Sequence, residues 1–169
     1  TDGGLQVAVD AIGSATRPHH FLSVTKEGKS AIFSTTGNPD CHVILRGGKE
    51  TNYDAKSIEI ACKSLEKAGL PGVVMVDCSH ANSRKQHEQQ MEVGKNICQQ
   101  LASGENRIFG VMIESHLVAG RQNVVNGKVE TYGQSVTDAC IGWEDTVGLL
   151  EQFAAAVRKR REAKNTAAA

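Results

Sequence analysis

Three residues far apart along the chain carry the side chains best suited to chemistry: His80, Glu114 and Asp138. His80 and Glu114 follow apolar runs, residues 73–76 and 108–113, and Asp138 follows Ser135-Val136-Thr137. One imidazole and two carboxylates are a reasonable ligand set for a borderline-to-hard divalent metal: Mn, Fe, Co or Zn. The same groups would also serve as an acid–base pair or as hydrogen-bonded polar residues. The long spacing leaves those readings open. His116, two residues beyond Glu114, falls on the same side of an extended chain and is a rival ligand. A second unit is Arg46-Gly47-Gly48, with Lys49 next in line. A guanidinium at a strand end, followed by glycines that let backbone N–H groups approach, suits a carboxylate or phosphate. An Arg paired with a neighbouring strand's carboxylate is the structural alternative.

The elements that must position these residues alternate. Residues 41–46, 73–77 and 108–114 read as strands rich in β-branched residues. The middle one is apolar enough to be buried on both faces, as in a parallel sheet. A helix capped by Asn52 or Asp54 follows the first, with Ile58, Ala61, Leu65 and Ala68 on one face and Gly69 as its stop. A helix over about 84–103 follows the second, turning Met91, Cys98 and Leu101 inward. The last helix spans about 143–162 with Val147, Leu150, Ala154 and Val157 as its stripe. Its basic end, residues 158–161, suits the negative pole of the helix dipole. Residues 164–169 read as a disordered tail.

Ahead of these units, a helix over about 4–15 and a hairpin of His20–Val24 with Ser30–Ser34 are expected. Asn126-Gly127 between valine-rich runs predicts a further hairpin. Three β→α units in series imply right-handed crossovers. Strands that turn polar at the same end point to a (β/α) barrel with its site on the C-terminal face. Such barrels have eight strands and about 250 residues, so 169 residues with three core strands read as a single partial domain, the C-terminal portion of one. An open flavodoxin-like sheet is the alternative, without the Gly-rich phosphate turn common there. Thr1 in place of Met fits a processed or partial chain. A part of a barrel with uncovered strands is expected to aggregate, pair with a second copy or pack loosely.

Composition narrows the class. Hydrophobic residues at 40%, charged residues at 22% and zero formal net charge describe an ordinary globular domain with no global basicity for nucleic acid. No apolar run reaches membrane-span length. Five scattered cysteines, none in a C-x-x-C pair, point to reduced thiols in the cytoplasm.

Four segments together carry a resemblance. Leu45-Arg46-Gly47-Gly48, Asp77-Cys78-Ser79-His80-Ala81-Asn82-Ser83, Gly110-Val111-Met112-Ile113-Glu114-Ser115-His116 and the run from Ser135 through Asp138 to Ile141-Gly142-Trp143-Glu144 resemble type I DAHP synthase (3-deoxy-D-arabino-heptulosonate-7-phosphate synthase). The likeness begins at Thr1-Asp2-Gly3 and reaches the last helix. It implies a (β/α)8 TIM barrel with an inserted β-hairpin. The implied reaction is condensation of phosphoenolpyruvate with erythrose 4-phosphate, the first step of the shikimate pathway to aromatic amino acids. His80, Glu114 and Asp138 match three of the family's four divalent-metal ligands, His80 and Asp138 also lying at the reacting centre. Arg46 matches a phosphoenolpyruvate-binding arginine. The hairpin resembles one that holds an aromatic amino acid inhibitor, with Ser23 at a matching polar position. The family's cysteine ligand, further phosphate-binding cations and a lysine just before Thr-Asp-Gly would lie upstream of this sequence, and these residues alone would be inactive. A homo-oligomer is implied for the full-length protein, with no nucleic-acid or membrane partner. Within the class, the rival is the related synthase that uses arabinose 5-phosphate. Outside it, the rival is a non-catalytic half-barrel binding module.

Overall fold

The computed structural model describes residues 4–167, so Thr1-Asp2-Gly3, where the resemblance begins, and the last two tail residues lie outside the described residues. The chain divides into two compact units, Gly4–Val43 and the unit from Ile44 onward.

In the first unit, α1 (Gln6–Ala15) forms where a helix is expected and buries Val9 and Ile12. Strands β1 (His20–Val24) and β2 (Ser30–Ser34) form the expected antiparallel hairpin. Its register pairs Phe21 with Phe33 and Ser23 with Ala31. The two phenyl rings stack with centroids 6.0 Å apart. Gly37 then closes the chain back on α1. Its φ of +80° and the contact a Cβ would make with Thr16 O admit no side chain, and Asn38 N–H donates to Ala15 O at 2.9 Å.

The second unit is a mixed α/β fold. Its sheet has the order β3-β4-β5, with β3 (Val43–Leu45) starting at the boundary between the units, then β4 (Val74–Asp77) and β5 (Ile108–Met112). β4 and β5 run parallel, Asp77 opposite Met112. Helix α2 (Ala55–Lys67) follows β3 and α3 (Gln89–Ala102) follows β4. Asp54 caps α2 by accepting from Ser57 N–H at 3.0 Å, and Gly69 takes a φ of +74° just past its end. The core is built from Ile58, Leu65, Val74, Val76, Ile97 and Ile108, all at most 2% exposed.

Several boundaries depart from the sequence reading. α3 begins at Gln89, five residues later than expected, because His80, Arg84 and Lys85 all take left-handed backbone conformations that no helix accommodates. It buries Gln90, Val93, Gly94, Ile97 and Leu101, leaving Met91 and Cys98 half-buried. β5 ends at Met112, so Glu114 lies just past the strand. Asn126 and Gly127 have the positive φ values of a tight hairpin turn, but only a single bridge, Val125 to Lys128, flanks them. The pairing strands nearby are β6 (Val118–Arg121) and β7 (Gln134–Ser135), which are parallel.

Helix α4 (Trp143–Ala167) turns Thr146, Leu149, Phe153 and Ala156 inward. That face lies one residue before the expected stripe, and Leu150 is half exposed. Gly94 of α3 supplies the reason: a Cβ there would sit 2.7 Å from Leu149 Cδ1, so the bare helix backbone is the socket Leu149 fills. The helix also continues to Ala167, past the residue 162 at which the sequence ended it.

Candidate metal and anion site

β4 delivers a buried carboxylate and then a sharp turn. Asp77 is 2% exposed. Its Oδ1 accepts from Ser79 N–H at 2.7 Å and its Oδ2 lies 2.7 Å from His80 Nδ1. His80 itself sits in the left-handed region, at φ +49°. With Nδ1 donating to Asp77, the Nε2 lone pair is left to face outward, the arrangement that a metal-binding histidine needs. Nε2 stands 3.9 Å from Glu114 Oε1 and 4.0 Å from Asp138 Oδ2.

Glu114 is held at both ends. Its backbone N–H donates to Gln90 Oε1 at 2.9 Å and its carbonyl accepts from Gln90 Nε2 at 3.1 Å. Ser79 Oγ donates to Glu114 Oε2 at 2.6 Å, leaving Oε1 toward His80. The chain then leaves the sheet and returns. Ile141 N–H donates to Glu114 O and His116 N–H donates to Ile141 O, both at 3.0 Å. That parallel bridge brings Asp138, three residues earlier, beside the strand ends.

One donor atom from each of His80, Glu114 and Asp138 therefore lies within 4.8 Å of the others, a set that could hold a metal ion. The nitrogen and carboxylate donors fit a borderline-to-hard divalent ion, and the orienting bonds from Asp77 and Ser79 are what such ligands require. His116, the rival ligand, is exposed and lies outside this group, its Nδ1 accepting from Leu117 N–H at 2.9 Å.

The triad opens into a cavity of about 380 Å³ that Arg46, Gly47 and Gly48 also line. Neither glycine offers its N–H to a ligand, contrary to the sequence expectation. Gly47 N–H donates to Asn52 Oδ1 at 2.8 Å and Gly48 N–H to Glu50 O at 3.0 Å. Gly47 is required for a different reason. At φ +72° a Cβ would meet Ala81 Cβ at 2.9 Å and Asn82 Oδ1 at 3.0 Å. Asn82 in turn donates to Leu45 O and Asp77 O and accepts from Asn52 N–H, tying the ends of β3 and β4 together.

Sequence reasoning missed Lys85 and His87, which line the cavity. His87 Nε2 stands 3.2 Å from Glu88 Oε1. No motif marks either residue, since both fall in what reads as a helix start. The bond from Asp77 to His80 had a signal, a carboxylate three residues before an imidazole in a turn. The thiols near the site are not activated: burial first, then the Asp77 carboxylate, pushes Cys78 up to about 12, and burial also raises Cys140. Ser23 lies half-buried in β1, within the other unit.

Strands that gather an imidazole, two carboxylates and a guanidinium at their polar ends define an α/β protein of the kind that binds ligands beyond its strand termini. The chain belongs to the DAHP synthetase I family, whose model matches residues 3–151. It is 60% identical over 164 residues to a phospho-2-dehydro-3-deoxyheptonate aldolase of Haemophilus influenzae, covering 96% of this chain and 45% of that protein. The Phe-sensitive aldolase of Escherichia coli K12 is also 60% identical, over 95% of this chain and 46% of its own length. The structure of the aldolase from Francisella tularensis superposes with a TM-score of 0.87 at 53% identity, over 95% of this chain and 47% of that one. The chain thus spans about half the length of the relatives it matches. Among the described residues, no helix is long and apolar enough to cross a membrane.

Proposed function

We propose that residues 1–169 are one partial domain, the C-terminal portion of a (β/α)8 barrel. Within it they supply the metal end of a 3-deoxy-7-phosphoheptulonate synthase site. The reaction is the condensation of phosphoenolpyruvate with erythrose 4-phosphate, and the protein is a transferase of aromatic amino acid biosynthesis. The observation that carries this reading is the convergence of His80, Glu114 and Asp138 beside Arg46 in one cavity. The relatives' name supports the four-carbon aldehyde: a heptonate has seven carbons, and phosphoenolpyruvate brings three. Arabinose 5-phosphate would give eight.

In this reading His80 Nε2, Glu114 and Asp138 hold the divalent ion. Bound there, the ion supplies Lewis acidity toward an aldehyde oxygen. Asp77 fixes the His80 tautomer, and Ser79 fixes which Glu114 oxygen faces inward. The Arg46 fork binds an anionic group of phosphoenolpyruvate. In this reading Asp138, the most exposed of the three, accepts a hydrogen bond from a donor group of the incoming sugar phosphate. The resemblance implies a cysteine as a further ligand and additional cations, which no motif within these residues supplies. Relatives named Phe-sensitive and Trp-sensitive support aromatic amino acid feedback, with Ser23 as its contact in the hairpin. A cytoplasmic homo-oligomer completes the reading, five free thiols fitting a reducing compartment.

The test uses the protein expressed from the complete reading frame that contains these residues. Co²⁺ titrated into the metal-free protein should give visible absorption bands, absent in His80→Ala. Asp77→Asn should weaken Co²⁺ binding about 10- to 100-fold. Condensing activity should vanish on chelation and return with Mn²⁺. Activity that survives full metal depletion would sink the reading.

A further inference from the structure

Lys85 occupies an unusual position. It and Arg84 are consecutive non-glycine residues in the left-handed region, at φ +61° and +52°. Each costs about 1–2 kcal/mol relative to an ordinary conformation. At Gly47, Gly69 and Gly104 the same chain takes a positive φ with glycine, and among the described residues only His80 and Asn126 join Arg84 and Lys85 in doing so with a side chain. The Lys85 N–H donates to His80 O at 2.9 Å, so its backbone is tied to the residue whose imidazole faces the cavity. Lys85 lines that cavity, while Arg84 does not. Among the described residues no hydrogen bond or ion pair engages the side chain of either Lys85 or Arg46.

Charge points the same way. Two cations, Arg46 and Lys85, and two carboxylates, Glu114 and Asp138, line the cavity and cancel. A divalent ion on the triad would leave a net double positive charge in a small volume. With the Gly47 and Gly48 N–H groups already engaged, side chains are left to meet an anion. We infer that Lys85 is a second anion-binding arm of the site, acting with Arg46 on a ligand that carries both a carboxylate and a phosphate. The planar Arg46 fork suits one group bidentately, and the compact ammonium of Lys85 suits the other as a point charge. The inference rests on the metal-site reading and adds to it a residue, and a reason for its strained backbone.

The test uses the same full-length protein loaded with Mn²⁺, titrated calorimetrically with phosphoenolpyruvate. Lys85→Gln and Lys85→Gly should each lose about 10- to 100-fold in phosphoenolpyruvate affinity, with Mn²⁺ affinity within twofold of the unaltered protein. Lys85→Arg should recover most of the loss. Lys85→Gly should also melt at a higher temperature, since glycine relieves the left-handed strain, whereas a merely structural lysine would move only the melting temperature. Lys85→Gln that binds phosphoenolpyruvate as tightly as the unaltered protein, with Mn²⁺ in place, would overturn the role of Lys85 alone. If the unaltered protein binds no Mn²⁺, the metal-site reading fails and this inference with it.

Discussion

The two strand-to-helix connections of the second unit solve one geometric problem with opposite chemistry. After β3 the chain reverses on a glycine, Gly47 at φ +72°, and enters α2 through a side-chain cap on Asp54. After β4 it reverses on His80, Arg84 and Lys85, all at positive φ, and enters α3 at Glu88 with no side-chain cap. The first connection uses the residue types that cost least in each conformation. The second accepts strain at three positions, and two of them, His80 and Lys85, put side chains on the cavity where glycine would put none. Backbone strain of this sort gathers where side-chain identity matters more than turn stability.

The contrast can be broken by exchanging the two solutions. Gly47→Ala carries the largest expected effect. It forces a Cβ into the left-handed region and against Ala81 and Asn82, for a loss of about 2–4 kcal/mol read as a lower urea midpoint. A loss under about 0.5 kcal/mol would mean that the two connections are not tightly apposed. Asp54→Ala removes the cap and should cost about 1 kcal/mol. The corresponding change at Glu88 should cost almost nothing, and equal costs would erase the difference between the helix starts. The smallest effect has the opposite sign. Arg84→Gly should raise stability by about 0.5–1 kcal/mol, strain relief outweighing the added freedom of the unfolded chain. Since Arg84 lies outside the cavity, ligand binding should not change. A destabilised Arg84→Gly would show that its side chain does more than occupy the turn.

The same contrast explains what could be read from sequence. The cap at Asp54, one of the two residues offered, the Gly69 stop and the hairpin of His20–Val24 with Ser30–Ser34 follow from local preferences, and the structure has them where expected. The α3 start does not, because Ser83-Arg84-Lys85-Gln86 has ordinary helix-forming composition, yet its N–H groups bond back to Ser79, Ala81, His80 and Ser83 in irregular turns rather than in a helical ladder. The α4 face was off by one residue for a related reason. Leu149 and Leu150 are adjacent, and the sequence alone does not say which one meets Gly94 across the helix pair. The convergence of His80, Glu114 and Asp138 was legible as polar residues at strand ends. Their orienting partners Ser79 and Gln90 were not, since a serine and a glutamine carry no signal until their bonds to Glu114 are seen.

Gln122 has a consequence of a different kind. Its amide oxygen accepts from the N–H groups of Glu130 and Thr131, and its amide nitrogen donates to Thr131 O and Gln134 O. One side chain thus laces the neck of the excursion that separates Glu114 from Asp138. The tip beyond the lacing, residues 123–129, is exposed throughout. Its length and composition are therefore uncoupled from the placement of Asp138. A peptide tag or a fluorophore grafted between Asn126 and Gly127 would ride on the protein without disturbing the carboxylate it flanks, and in related chains this is where length should vary most freely.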